Sequence, residues 1–197
     1  MSEPARSEPP RHVDVRIGSA PNALEPVPGA ARALGAGAAQ WLGFCLVAGA
    51  AVGCDQLTKR LVATGLTLGD AIEIVGPLSI HHVRNTGIAF GLFADSTAVV
   101  VGLTTLAVCA MLWFFARAAR RHPLLPVAFG FLLGGSLSNL VDRIRLGYVT
   151  DFIDFDYWPA FNLADSFIVV GVGLLFLSLV AADRVSPTVG RPPLARS

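Results

Sequence analysis

Four stretches of this chain carry no charged side chain and are apolar enough to enter a bilayer, which restricts the fold more than any other feature. They are residues 33–54, 96–116, 123–141 and 166–182. A helix needs about 20 apolar residues to cross roughly 30 Å of hydrocarbon. The first two stretches meet that length and the third just does. The fourth is short unless the preceding FNLAD lies at the membrane edge. Asp165 would then occupy the first turn of the fourth helix, where the helix dipole favours negative charge. The expected fold is an all-α membrane protein with four transmembrane helices and a small β-sheet on the outward face. The sheet is expected within residues 65–93, where AIEIV and LSIHHV are β-branched runs separated by Gly and Pro. A small sheet cannot sit bare in lipid, so it belongs at the outer interface. The aromatic residues Tyr157, Trp158 and Phe161 suit the same interface.

Composition agrees. Of 197 residues, 53% are hydrophobic and 15% charged, against about 25% charged in an average soluble domain. A net charge of +1 gives no electrostatic case for nucleic acid. Cys45, Cys54 and Cys109 lie in or beside apolar runs without metal-binding spacing and are expected to be small core hydrophobes. Residues 1–31 and 184–197, rich in Pro and Arg, are expected to be disordered cytoplasmic tails flanking a four-helix domain at 32–183. No apolar region follows the first basic residues closely enough for a secretory signal peptide. Ten basic residues fall in the two tails and the second connection, and five in residues 55–95 and 142–165. Lys and Arg favour the cytoplasmic side, so both termini are expected there. The outward side then holds nine of the fourteen acids.

On this topology the outward face collects Asp55, Lys59, Arg84, Asn85, Asn139, Asp142, Arg143, Asp151, Asn162 and Asp165. Ionisable groups near membrane depth are costly and are candidates for function. Each also has a plainer reading. Asp55 and Lys59 stand at i, i+4 and can simply pair. Asp142 and Arg143 are expected to form a buried pair ending the third span. Asn85 before Thr86-Gly87 suits a turn. His81 and His82 would point to opposite faces of a strand, which argues against a joint metal site. Asp154 and Asp156 are expected to be solvated loop acids. Asp151 and Asp165 are harder to dismiss: fourteen residues separate them, each beside an apolar run, enough for a loop to bring them together. Two carboxylates in a low-dielectric site hold one proton between them. Such a pair can activate water and protonate an amide without metal or cofactor; a proton relay or an ion site remain alternatives.

At these residues the chain resembles the lipoprotein signal peptidases (signal peptidase II). The resemblance is carried by DQLTK at 55–59, RNTGIAFGLF at 84–93, GGSLSNLVDR at 134–143 with GYVTDFIDF following, and FNLAD at 161–165. It covers roughly residues 37–185. It implies a membrane aspartic endopeptidase with a dyad of Asp151 and Asp165 and no cofactor. Lining or supporting residues carry over to Asp55, Lys59, Asn85, Gly87, Asn139, Asp142, Arg143, Asn162 and Ala164. The implied partners are membrane lipids and a prolipoprotein whose lipobox cysteine carries a diacylglyceryl group. The implied location is the bacterial inner membrane, and a monomer is expected. One departure is visible: the third block commonly reads GGxxGNxxDR, and Ser138 stands at the second glycine position. A transporter would predict acids along the membrane depth, yet the span interiors are uncharged. A serine protease would need a histidine base on a span, and none of the four stretches has one. A purely structural subunit leaves the acid and asparagine cluster unexplained.

Overall fold

The computed structural model describes residues 36–87, 96–118 and 123–185. Its elements run α1 (Ala38–Gly65), β1 (Ala71–Val75), β2 (Leu78–Asn85), α2 (Thr97–Ala118), α3 (Leu125–Leu146), β3 (Val149–Phe155), β4 (Trp158–Phe161) and α4 (Leu163–Val185). All four helices are long and apolar enough to cross a membrane. The helix α3 is mostly buried and packs against the other three. The outer helices turn most of their surface outward. Leu42, Leu106, Val169 and Phe176 are all exposed, as expected where the surroundings are lipid. Cys45, Cys54 and Cys109 are exposed as well, which corrects their expected place in the core. An apolar residue in a membrane bundle need not face inward, because lipid is as apolar as the core.

Close approach of the helices depends on residues without side chains. A Cβ on Gly134 would lie 2.8 Å from the Ala48 carbonyl oxygen of α1. One on Gly171 of α4 would meet the Ala128 carbonyl oxygen of α3 at 2.8 Å, and one on Gly135 would collide with the Ala164 carbonyl oxygen of α4. Small residues at such crossings let backbones touch, gaining dispersion contacts where no hydrophobic effect separates protein from solvent. Near the N-terminus of α1, Trp41 and Phe44 pack with Phe115 and Phe129. This aromatic cluster closes the end of the bundle away from the sheet.

The sheet is antiparallel, in the order β1-β2-β3-β4. Its first two strands fall where the β-branched runs place them. The other two come from residues 149–161, read from sequence as an outward loop. The turn from β1 to β2 passes through Gly76 at φ +53, a conformation that favours glycine. In the β2–β3 register Val83 faces Asp151 and Asn85 faces Val149. Helix α3 ends on Gly147, whose left-handed φ of 82 turns the chain straight into β3. Helix α1 continues to Gly65, so DQLTK lies inside the helix and not at its end. His82 is buried and its Nδ1 lies 3.0 Å from the Leu66 carbonyl oxygen, tying the sheet to the end of α1.

The crossings make a prediction. Gly135→Ala should destabilise the protein by about 1–3 kcal/mol, since a methyl there forces α3 and α4 apart. Gly49→Ala, with nothing within 4 Å of the added carbon, should be neutral or slightly stabilising. Thermal unfolding in detergent compares the two; equal stability of both variants would contradict this account of the packing.

Candidate active site

Asn162 is the N-cap of α4. Its Oδ1 accepts from the Asp165 backbone N–H at 3.1 Å, and Asp165 Oδ2 accepts from the Asn162 backbone N–H at 3.3 Å. This reciprocal cap fixes the Asp165 side chain in the first turn. The Asn162 side chain has a second role: its Nδ2 donates to Asp151 Oδ1 at 2.6 Å. One fully buried asparagine therefore links the acid on β3 to the acid on α4. Asp151 Oδ2 accepts from Asn85 Nδ2 at 3.0 Å, across the β2–β3 pairing. Asn85 is held in turn by the Gly87 N–H, which donates to its Oδ1 at 3.0 Å. Asp165 Oδ1 accepts from Asn139 Nδ2 of α3 at 2.9 Å.

Behind this pair lies a buried ionic layer. The Lys59 ammonium meets Asp55 Oδ2 at 2.7 Å, Asp142 Oδ2 at 2.8 Å and Asn139 Oδ1 at 2.7 Å. Three N–H donors thus have three acceptors, which a buried lysine requires. Asp55 uses its other oxygen to accept from the Ala164 backbone N–H at 2.8 Å, in the first turn of α4. Ala164 is fully buried because its carbonyl lies under Gly135.

Two expectations need correction. Asp142 and Arg143 do not pair with each other. They are consecutive on a helix and point about 100° apart. Asp142 turns toward α1, to Lys59 and to Gln56 Nε2 at 2.8 Å. Arg143 turns toward the sheet, where Nη2 donates to the Gly87 carbonyl at 2.6 Å and Nη1 to the Asn139 carbonyl at 3.4 Å. Its buried Nε has no partner among the described residues. Asp154 is not a loop acid. It lies on β3, where His81 Nδ1 is 2.7 Å from its Oδ2. The odd separation from Asp151 carries it away from the acid pair, consistent with strand alternation. Asp156 is exposed in the turn after β3, as expected.

Two contributors were not singled out as site residues from sequence. Ser138, fully buried, donates its hydroxyl to Asp55 Oδ2 at 2.7 Å and accepts from Gln56 Nε2 at 2.9 Å. The residue that departs from the family's glycine thus adds a hydrogen bond to the ionic layer. Gln56 lies within the DQLTK block itself, and this position was the available signal. The rest of the second block, residues 88–93, lies outside the described residues.

Asp151 and Asp165 open onto one cavity of about 1320 Å³. Its polar lining includes Asn85, Asn139, Arg143 and Asn162; its walls include Leu103 and Ala107 of α2 and Ile168 and Val169 of α4. Burial is the main cause that raises the Asp151 carboxyl to about 6, opposed by the Asn85 and Asn162 hydrogen bonds. The negative charge of Asp165 raises it further and Lys59 lowers it. An acid near 6 in a cleft can exchange a proton near neutral pH. Geometry and charge together give two interacting carboxyl groups on one apolar-walled cleft.

Comparison with known proteins follows the same lines. The family model for signal peptidase (SPase) II matches residues 47–181. The chain is 46% identical over 140 residues to a lipoprotein signal peptidase of Symbiobacterium thermophilum, covering 68% of this chain and 91% of that protein. It is 40% identical over 138 residues to one of Moorella thermoacetica, covering 70% and 92% respectively. A bacterial membrane enzyme solved by the in meso method at 2.3 Å superposes with a TM-score of 0.68 at 32% identity, over 76% of this chain and 93% of that one. With the family model spanning most of the sequence and four membrane-crossing helices around the matched blocks, this multi-pass membrane protein belongs to the signal peptidase II family of proteases.

Proposed function

We propose that the chain removes the signal peptide from diacylglyceryl-modified prolipoproteins, cutting just before the lipidated cysteine, with Asp151 and Asp165 as the catalytic pair. The observation that carries this reading is the joint opening of both carboxyl groups into a single apolar-walled cavity, held together by Asn162. One aspartate takes a proton from water as it attacks the scissile carbonyl. The other gives its proton to the departing amine. Two like charges in one low-dielectric site favour the singly protonated state that this exchange needs. On this reading Arg143 and the cavity asparagines hold the peptide backbone. The walls of α2 and α4 suit the apolar signal segment and acyl chains. A lipid-anchored substrate has its scissile bond at the membrane boundary, and the pair stands where α4 begins. No cofactor is required. On this reading the enzyme is a monomer in the bacterial inner membrane, with both termini in the cytoplasm and the cavity on the outward face; residues 1–31 and 186–197 lie outside the described residues.

Asp151→Asn and Asp165→Asn should each lower kcat on a lipidated precursor by about 10²–10⁴-fold or more, while the protein still accumulates in the membrane. Asp154→Asn and Asp156→Asn should keep most activity, because the partly exposed His81–Asp154 pair is worth about 1 kcal/mol at most and Asp156 is exposed in a turn. Full activity in either dyad variant would sink the assignment. Cleavage should be unchanged by a chelator.

Stability should follow Asp151 as well. Its folded value of about 6 lies above the 3.8 of an ordinary aspartate. The native state therefore takes up a proton that the unfolded chain does not, between about pH 4 and 6. The resulting stabilisation, at most about 3 kcal/mol, is complete below pH 4 and is lost as pH rises through 6. Thermal unfolding of wild type should show this slope and Asp151→Asn should show a shallower one.

Ser138→Ala leaves a buried Asp55 oxygen with Lys59 alone and should cost about 1–3 kcal/mol. Unfolding in detergent measures it; no loss would show that the hydroxyl contributes nothing to the layer.

A further inference from the structure

A second cavity, of about 580 Å³, lies between α1 and α3 on the far side of the ionic layer from the acid pair. Gln56, Lys59, Arg60, Asp142, Arg145 and Thr150 give it a polar lining, with Leu57 and Leu146 among its apolar ones. The buried charges on its floor are settled, since Lys59 neutralises Asp142 at 2.8 Å. Arg60 and Arg145 are not settled. Both are exposed, both line this cavity, and neither has a carboxylate partner among the described residues. Other basic groups at this end are engaged: Lys59 with its three acceptors, Arg84 over the Tyr148 ring at 4.5 Å, and Arg143 with two carbonyls. Two free guanidiniums over one cleft make an anion site, and the planar fork of arginine matches phosphate oxygens.

The surroundings select the kind of anion. Leu57, Leu61 and Ile144 flank the cleft's helices, at 59%, 60% and 66% exposed. They belong to helices long and apolar enough to cross a membrane, where exposed apolar side chains suit contact with lipid. A ligand seated here touches hydrocarbon on one side and two cations on the other. That is the chemistry of a phospholipid whose headgroup bears a net negative charge. We propose that the α1–α3 cleft binds the phosphate headgroup of an anionic phospholipid through Arg60 and Arg145, with its acyl chains along Leu57 and Leu146. The site is separate from the acid pair and does not depend on what that pair cleaves.

The test uses the full chain in lipid nanodiscs of phosphatidylcholine, with and without phosphatidylglycerol, read by thermal unfolding and by native mass spectrometry of retained lipid. Phosphatidylglycerol should be retained in preference to phosphatidylcholine and should raise the unfolding temperature. The Arg60→Gln/Arg145→Gln double variant should lose on the order of tenfold in that preference, given what each basic residue contributes near an anionic headgroup. Arg60→Lys/Arg145→Lys keeps the charge without the fork and should retain part of it. Three results would overturn the proposal: equal retention of both lipids by wild type, an undiminished preference in the double glutamine variant, or the whole effect reproduced by inorganic phosphate in detergent. The first two would leave the arginines as side chains that merely reach the water. The third would make the cleft a site for a soluble ion.

Discussion

A single ammonium at the meeting point of three helices sets the constraint that the rest of the structure meets. Lys59 is nearly fully buried, and an unpaired cation there would cost several kcal/mol. Its three acceptors come from Asp55 on α1 and from Asn139 and Asp142 on α3. Two of them pass the constraint onward. Asp55 holds the Ala164 N–H of α4, and Asn139 holds Asp165. The position of the acid on α4 is thus fixed by a charge on α1, through Asp55 and Asn139. The glycine crossings serve the same end. Without Gly135 the α4 backbone could not come near enough for Asp55 to reach it.

Much of this was legible in the sequence, for identifiable reasons. Uncharged runs of bilayer length announce membrane helices because no other segment tolerates that composition. Asp165 at the start of a short run announced the first turn of α4, since only by counting it could the span be long enough. The β-branched runs announced β1 and β2. What stayed hidden depended on pairing between distant segments. DFIDF becomes a strand because β2 offers an edge to pair with, and WPAF because β3 then offers the next one, pairings that the local sequence does not specify. Asp154 looked solvated for the same reason: its partner His81 is 73 residues away.

The misreading of Asp142 and Arg143 has a different origin. Adjacent opposite charges invite pairing on paper, but helical geometry sends them to different neighbours. Each then does something a mutual pair could not. Asp142 completes the cage around Lys59, while Arg143 holds the chain at Gly87 against the cleft. Ser138 is the converse case. A departure from a family glycine reads as a loss of packing room, yet the space is used for a hydroxyl that serves both Asp55 and Gln56.

Asn162, which links the two acids, lies at the threshold of the last helix. A growing chain can insert α1, α2 and α3 and complete most of the sheet while Asp165 is still unmade. Until α4 enters the membrane, Asp151 has no second carboxyl beside it, and the cap that orients Asp165 does not exist. Order of synthesis thus acts as a safeguard: a copy that stops short of Asp165 lacks the acid pair altogether, and only a chain that has reached α4 can present one to the membrane it sits in.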